Sequence, residues 1–270
     1  MSELVLQNIY IYPIKSLGGI SVPQAEVQSS GLQYDRRWML VDETGLFVSQ
    51  RTHAQLATVQ VSLTEEGLLV SHKKGGINPF FLSFNETINK QIEVNIWDDI
   101  CTATEVSRSA NKWFSDALQM NVRLVVMPSS TQRLVDTDYA NNNETVSFAD
   151  AYPFMMIGQA SLNDLNSRLD KPVLMNRFRP NFVFSGGAPY AEDRMYGFKI
   201  GNINFKGVKL CARCVLTTID QEQATKGSEP LRTLATYRTI KNKVMFGQNL
   251  LHEGEGTVRV GDKILLTSAE

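Results

Sequence analysis

Two cysteines three positions apart, Cys211 and Cys214, are the residues of this chain best suited to chemistry. Arg213 stands between them, and a thiol beside an arginine presents a soft, anionic sulfur to a metal or an anionic cofactor. Other uses of the pair compete with that one. A structural zinc site needs four cysteine or histidine ligands at ordered spacing, which Cys101, His53, His72 and His252 do not supply. A redox dithiol places its first cysteine at a helix N-terminus, whereas the run after Cys214, Val215-Leu216-Thr217-Thr218-Ile219, is β-branched and reads as a strand. Both cysteines could also be plain core, since free cysteine is among the most buried residue types.

What argues against plain core is the company the pair keeps. Lys15, Arg36, Arg51 and Arg179 all fall at turns or strand ends. Arg179 lies between Phe178 and the apolar run Phe182-Val183-Phe184, and an arginine so embedded needs a fixed anionic partner. Asp150, two residues after Phe148 and three before Pro153, is either a carboxylate for proton relay or an ordinary turn aspartate.

These residues need a scaffold, and the hydropathy pattern describes one. From residue 3 to 105 short apolar runs alternate with turn signals, the pattern of an all-β barrel or sandwich. Val5 to Tyr12 comes first. Trp38–Val41 and Leu46–Val48 flank Asp42-Glu43-Thr44-Gly45, Leu56–Leu63 meets Leu68–Val70 across Glu65–Gly67, and Gln91–Trp97 meets Cys101–Val106 across Asp98-Asp99. At Ser107 the period becomes helical, with Ala110, Trp113, Phe114, Ala117 and Leu118 on one face. A second helix is expected from Ser161, with Asp164 completing its cap, and a third over Pro230 to Tyr237. Ser129 to Asn143 is polar and reads as a mobile loop that shapes the site. The expectation is a mainly β, α+β protein with domains at 1–105 and 106–270.

Composition narrows the partners. The 270 residues are 43% hydrophobic, enough for a large core, and 27 basic residues balance 28 acidic ones. No global field draws the chain to nucleic acid or to an anionic membrane, so any anion site is local. No stretch has the length of a membrane span, and the N-terminus lacks the features of a signal peptide. Three cysteines make a poor disulfide framework, which points to a reducing cytoplasm.

Taken in order, the segments Tyr12-Pro13-Ile14-Lys15-Ser16, Asp35-Arg36-Arg37-Trp38, Asn166-Ser167-Arg168-Leu169, Phe178-Arg179-Pro180-Asn181, Tyr190-Ala191-Glu192-Asp193, Cys211-Ala212-Arg213-Cys214 and Phe246-Gly247-Gln248-Asn249 resemble the MOSC family with its N-terminal β-barrel domain. The likeness is to YcbX-like proteins and amidoxime-reducing components. It implies two β-barrel domains and a molybdenum cofactor, molybdenum on a phosphorylated pterin, with pyridoxal phosphate not expected. It also implies that Cys214 is the metal ligand and Cys211 structural, and that Lys15, Ser16, Arg36, Arg179, Asn181 and Arg213 bind the cofactor between the domains. Asp150 matches a family position near the metal, and with Cys214 is the expected catalytic residue. Ala151, Tyr152 and Ala212 depart from the small hydroxyl residues expected there. The implied reaction is reduction of N-hydroxylated compounds such as amidoximes, hydroxylamines and N-hydroxylated bases. Electrons would come from a separate flavoprotein, ferredoxin or haem protein, or from a further domain of a longer chain, because no ferredoxin-type cysteine spacing is present. A cofactor or sulfur carrier without turnover is the alternative.

Overall fold

The computed structural model describes residues 3–140 and 142–267, so Asn141 of the polar loop lies outside the described residues. As expected, the chain is mainly β. Among the described residues there are three α-helices: α1 (Arg108–Leu118), α2 (Gln159–Asn166) and α3 (Leu231–Ala235).

The largest sheet runs, in spatial order, through Ile264–Leu266, Gly197–Ile200, Ile203–Arg213, Lys243–Glu253, Phe154–Gly158, Phe182–Ser185, Val5–Ile11 and Ile20–Val22. Its ends meet. Lys263 bridges Val5, and the Ile264 N–H donates to the Leu4 carbonyl at 2.9 Å, closing the sheet into a barrel without a long open edge. Five phenylalanines help fill this barrel, and four of them pack ring on ring. Phe154 stacks on Phe182 and Phe198 on Phe205, while Phe205 stands edge-on to Phe154 and Phe182. Each buried ring contributes roughly 1.5–3 kcal/mol of apolar transfer.

The N-terminal half pairs Trp38–Val41, Arg123–Val126, Asp99–Glu105 and Lys90–Ile96 in one sheet, and Val59–Leu63, Gly67–His72 and Phe80–Ser83 in another. Helix α1 starts where expected, with Ser107 Oγ accepting from the Ala110 N–H at 3.1 Å. Its Ala110, Trp113, Phe114 and Leu118 pack into one core with Leu40, Val59, Leu68 and Leu82. Chain order and packing therefore cross the 105/106 boundary in both directions. Val5–Ile11 pairs with Phe182–Ser185, and α1 and Arg123–Val126 pack with N-terminal elements.

Local expectations differ from the structure in four places. Leu46–Val48 forms only isolated bridges, Leu46 to Asn95 and Phe47 to Val41, as the segment after Gly45, at φ 87°, divides its hydrogen bonds between two neighbouring strands. Ala54–Thr58 is a 3₁₀ turn, and only Val59–Leu63 is strand. Val215–Thr218 is likewise a 3₁₀ turn despite its β-branched residues, as the Thr217 and Thr218 hydroxyls bond back to the Cys214 and Val215 carbonyls at 3.0 and 2.7 Å. Helix α2 begins at Gln159, so Ser161 and Asp164 lie inside it. Ser161 Oγ instead donates to Glu192 and accepts from the Tyr190 N–H, and Asp164 pairs with Arg168 and Tyr190.

Candidate functional site

Cys214 follows directly on Ile203–Arg213, an eleven-residue strand paired with Lys243–Glu253. Register shifts between Gly207 and Lys209 and between Leu210 and Ala212 bend this strand, and the 3₁₀ turn then carries the chain away. The cysteine thus sits at a corner between regular elements. Ser16, Arg36 and Arg179 are at corners too, with φ of 70°, 52° and 56°. Non-glycine residues in the left-handed region carry a conformational cost, and with Trp97 at φ 55° there are four around one cavity, which marks a place where the fold gives up local comfort for position.

That cavity, of about 360 Å³, is where the expected residues meet. Lys15, Ser16, Arg36, Asp150, Arg179, Asn181, Arg213 and Cys214 all line it. Lys15, Ser16 and Arg36 arrive from the N-terminal half and the others from the C-terminal half. The lining holds three lysines (15, 209, 243) and four arginines (36, 51, 179, 213) against a single carboxylate, Asp150. Cationic excess in a concave, partly dehydrated space favours an anion of several charges.

Deep in the cavity the polar groups satisfy each other. Asp35, 1% exposed, accepts from the Tyr12 N–H at 2.7 Å, from Asn181 Nδ2 at 3.1 Å and from the Arg36 guanidinium. Arg36 also donates to Asn181 Oδ1 at 3.1 Å and to the Arg179 carbonyl at 3.4 Å. The guanidiniums of Arg36 and Arg179 lie 4.8 and 4.2 Å from the centre of the Tyr12 ring. Arg179 donates to the Leu17 carbonyl at 2.7 Å, and burial lowers its pKa to about 10. Asn181 is wholly buried, with its side-chain oxygen and nitrogen both engaged. Arg213 donates to the carbonyls of Phe246 and Phe178 at 2.7 and 2.9 Å and so staples the cysteine strand to its neighbours.

At the mouth Asp150 is the hub. Lys15 Nζ lies 2.5 Å from its Oδ1, Trp97 Nε1 donates to the same oxygen at 3.1 Å, and Arg51 reaches Oδ2 at 3.4 Å. Burial pulls the Lys15 pKa down to about 8, with Asp150 opposing. For Asp150 burial works upward, and the Lys15 ammonium, the hydrogen bonds and Arg51 overcome it, holding the carboxyl well below its usual range. Its side chain is nonetheless 56% accessible, because what it faces is the open cavity. Burial pushes the Cys211 thiol up, and Cys211 packs against the core cluster that contains Met155, Phe178 and Phe246. All three cysteines are free thiols.

The MOSC N-terminal beta barrel domain matches residues 3–121, and the MOSC domain matches residues 143–265. This chain belongs to the MOSC family. Over 96% of its length the MOSC protein is 33% identical to mitochondrial amidoxime-reducing component 1 of Mus musculus, 81% of which is covered, and 31% identical to the Homo sapiens protein of that name, 82% of which is covered. It is also 32% identical, over 94% of its length, to molybdenum cofactor sulfurase of Oryza sativa subsp. japonica, of which it spans 33%. Its relatives tie it to molybdenum-cofactor chemistry. Among the described residues no helix is long and apolar enough to cross a membrane.

The donor set of the MOSC protein fits such a cofactor. Among the described residues no three histidine, cysteine or carboxylate side chains converge, so protein ligands alone would not enclose a metal. The cavity carries two thiols, Cys211 and Cys214, beside a cationic cradle, a set that suits a metal whose remaining ligands come with an anionic carrier.

Two contributors escaped the sequence reading. The loop 129–143 lines a different cavity, of about 710 Å³, and yet it acts on this one through Arg133. That arginine, 6% exposed, donates to the carbonyls of Ser147, Ala149 and Asp150 and pairs with Asp99, fixing the segment that carries Asp150. The signal was a lone basic residue in a polar loop. Trp97 gave none, being one apolar residue at a strand end.

Proposed function

We propose that this MOSC protein is a molybdenum-cofactor-dependent reductase of N-hydroxylated compounds, namely amidoximes, hydroxylamines and N-hydroxylated bases. A separate electron-donor protein, a flavoprotein, ferredoxin or haem protein, serves it in a reducing cytoplasm. The observation that carries this reading is the convergence of Cys214 and the cationic cradle, from opposite halves of the chain, on one cavity. The cofactor supplies the two-electron chemistry that removes oxygen from nitrogen.

The chain's own residues do the rest. Cys214 offers a thiolate as a soft ligand. Lys15, Ser16, Arg36, Arg179, Asn181 and Arg213 would hold the pterin phosphate, while Asn181 and Asp35 also orient Arg36, and Arg213 also fixes the cysteine strand. Oxygen leaves as water, so two protons must arrive. Lys15 Nζ, whose pKa of about 8 lies near neutral, holds one at the cavity wall, with the ionised Asp150 carboxylate 2.5 Å away orienting it. Relatedness to the sulfurases supports a second reading, in which the same cavity carries cofactor or sulfur for a client enzyme.

Molybdenum and pterin content decide first, measured on reduced native protein and on Cys214→Ala, with circular dichroism to confirm folding. Near-stoichiometric molybdenum that the variant loses, followed by reduction of an amidoxime with a reduced viologen as donor, is the expected result. Well-folded native protein without molybdenum or pterin overturns the reductase. Bound but exchangeable cofactor with no turnover favours the carrier.

A further inference from the structure

The turn between Lys90–Ile96 and Asp99–Glu105 brings Trp97 to the cavity, and the reaction as described leaves its indole without a task. The backbone there is left-handed, φ 55°, a conformation a bulky residue adopts only when its surroundings impose it. Trp38 and Trp113 are 3% and 8% exposed and belong to the N-terminal core, whereas Trp97 is 41% exposed. The ring is nevertheless held firmly. Its Nε1 donates to Asp150, the Arg51 guanidinium lies 3.9 Å from the indole centroid, and Phe47 meets it in a T-shaped contact with centroids 4.6 Å apart. Arg51 keeps a buried Nε–H with no partner.

A preorganised aromatic surface binds flat, conjugated ligands at little entropic cost. An alkyl chain gains less from the same surface. We propose that Trp97, backed by Arg51, is the specificity-determining platform of the cavity, selecting planar aryl or heteroaryl N-hydroxylated substrates over aliphatic ones. This rests on the reading that the cavity takes N-hydroxylated compounds. Trp97 contacts the substrate's ring, and the electron transfer lies elsewhere.

The test compares benzamidoxime with acetamidoxime on the cofactor-loaded protein and its Trp97→Leu and Trp97→Phe variants. Both variants lose the N–H on Asp150, so the difference between them isolates the aromatic surface. Leucine should reduce the aryl-over-alkyl ratio of kcat/KM by about tenfold, and phenylalanine should keep most of it. A ratio unchanged in the leucine variant overturns the platform. Binding is read separately with the electron donor withheld. Trp97 is the exposed tryptophan, so benzamidoxime should quench native fluorescence at lower concentration than acetamidoxime. Selective quenching without turnover supports the platform and overturns the reductase. Turnover without any aryl preference in rate or quenching overturns the platform and leaves the reductase standing.

Discussion

On the inner wall of the cavity Asp35, Arg36, Tyr12, Asn181 and Arg179 are joined by hydrogen bonds and ring contacts, with Asp35, Tyr12 and Asn181 buried and the two arginines half-buried. At the mouth Asp150 gathers Lys15, Trp97 and Arg51 while more than half of its side chain stays accessible. The two regions use the same residue types toward different ends. Removing a member of the inner network strands buried charge, so that network is bound up with folding. The mouth stays open to solvent on one side, so its charges can change state and partners without unmaking the barrel. A site that must hold one group permanently and exchange another each turnover needs both kinds of wall.

The comparison breaks if the inner wall proves expendable. Asp35→Ala leaves the Arg36 guanidinium, the Tyr12 N–H and Asn181 Nδ2 without their shared acceptor, and should cost about 3–5 kcal/mol. Urea denaturation of apoprotein measures it, and a loss below 1 kcal/mol would show that water replaces the carboxylate.

Lys15→Met should move stability the other way. Lys15 is a buried cation whose partner is largely exposed, so a methionine of similar length relieves its desolvation and should stabilise by about 1–2 kcal/mol. Molybdenum and pterin retention should fall in the same protein. The pH profile sharpens the point. In the unfolded chain Lys15 keeps its proton to about 10.5, and in the folded chain only to about 8. Between those values unfolding takes up a proton, so native stability should rise with pH across that window, and Lys15→Met should lose that rise. A profile shared by both proteins would mean that Lys15 is not the group responsible.

Much of this was legible before any coordinates. Ile203 to Gly207 alternates in the period of two that a half-buried strand requires, Phe154–Gly158 and Phe182–Ser185 read as the continuous apolar runs of strands buried on both faces, and α1 shows its cap and its apolar face openly. The residues of the cradle were found because a resemblance ordered them, and the structure brings every one to the cavity. Two things stayed hidden for physical reasons. Thr217 and Thr218 have strand propensity, yet their hydroxyls bond to their own backbone and form a turn, which no period of hydropathy reveals. Arg133 and Trp97 act across 17 and 53 residues on Asp150, and such partners are set by tertiary packing rather than by local spacing.

Arg51 gives the finest test of the mouth. Its Asp150 contact is 3.4 Å between side chains 31% and 56% exposed, the geometry of a surface pair worth about 0.2–1 kcal/mol. Its stacking on Trp97 adds about 0.5–1 kcal/mol. Salt separates the two parts, since screening acts on the exposed ion pair more than on the close stack. Arg51→Ala should therefore lose about 1 kcal/mol in urea denaturation at low salt and distinctly less at high salt. A salt-independent loss of several kcal/mol would place Arg51 with the inner wall, and the division between a fixed cradle and an adjustable mouth would have to be redrawn around Trp97.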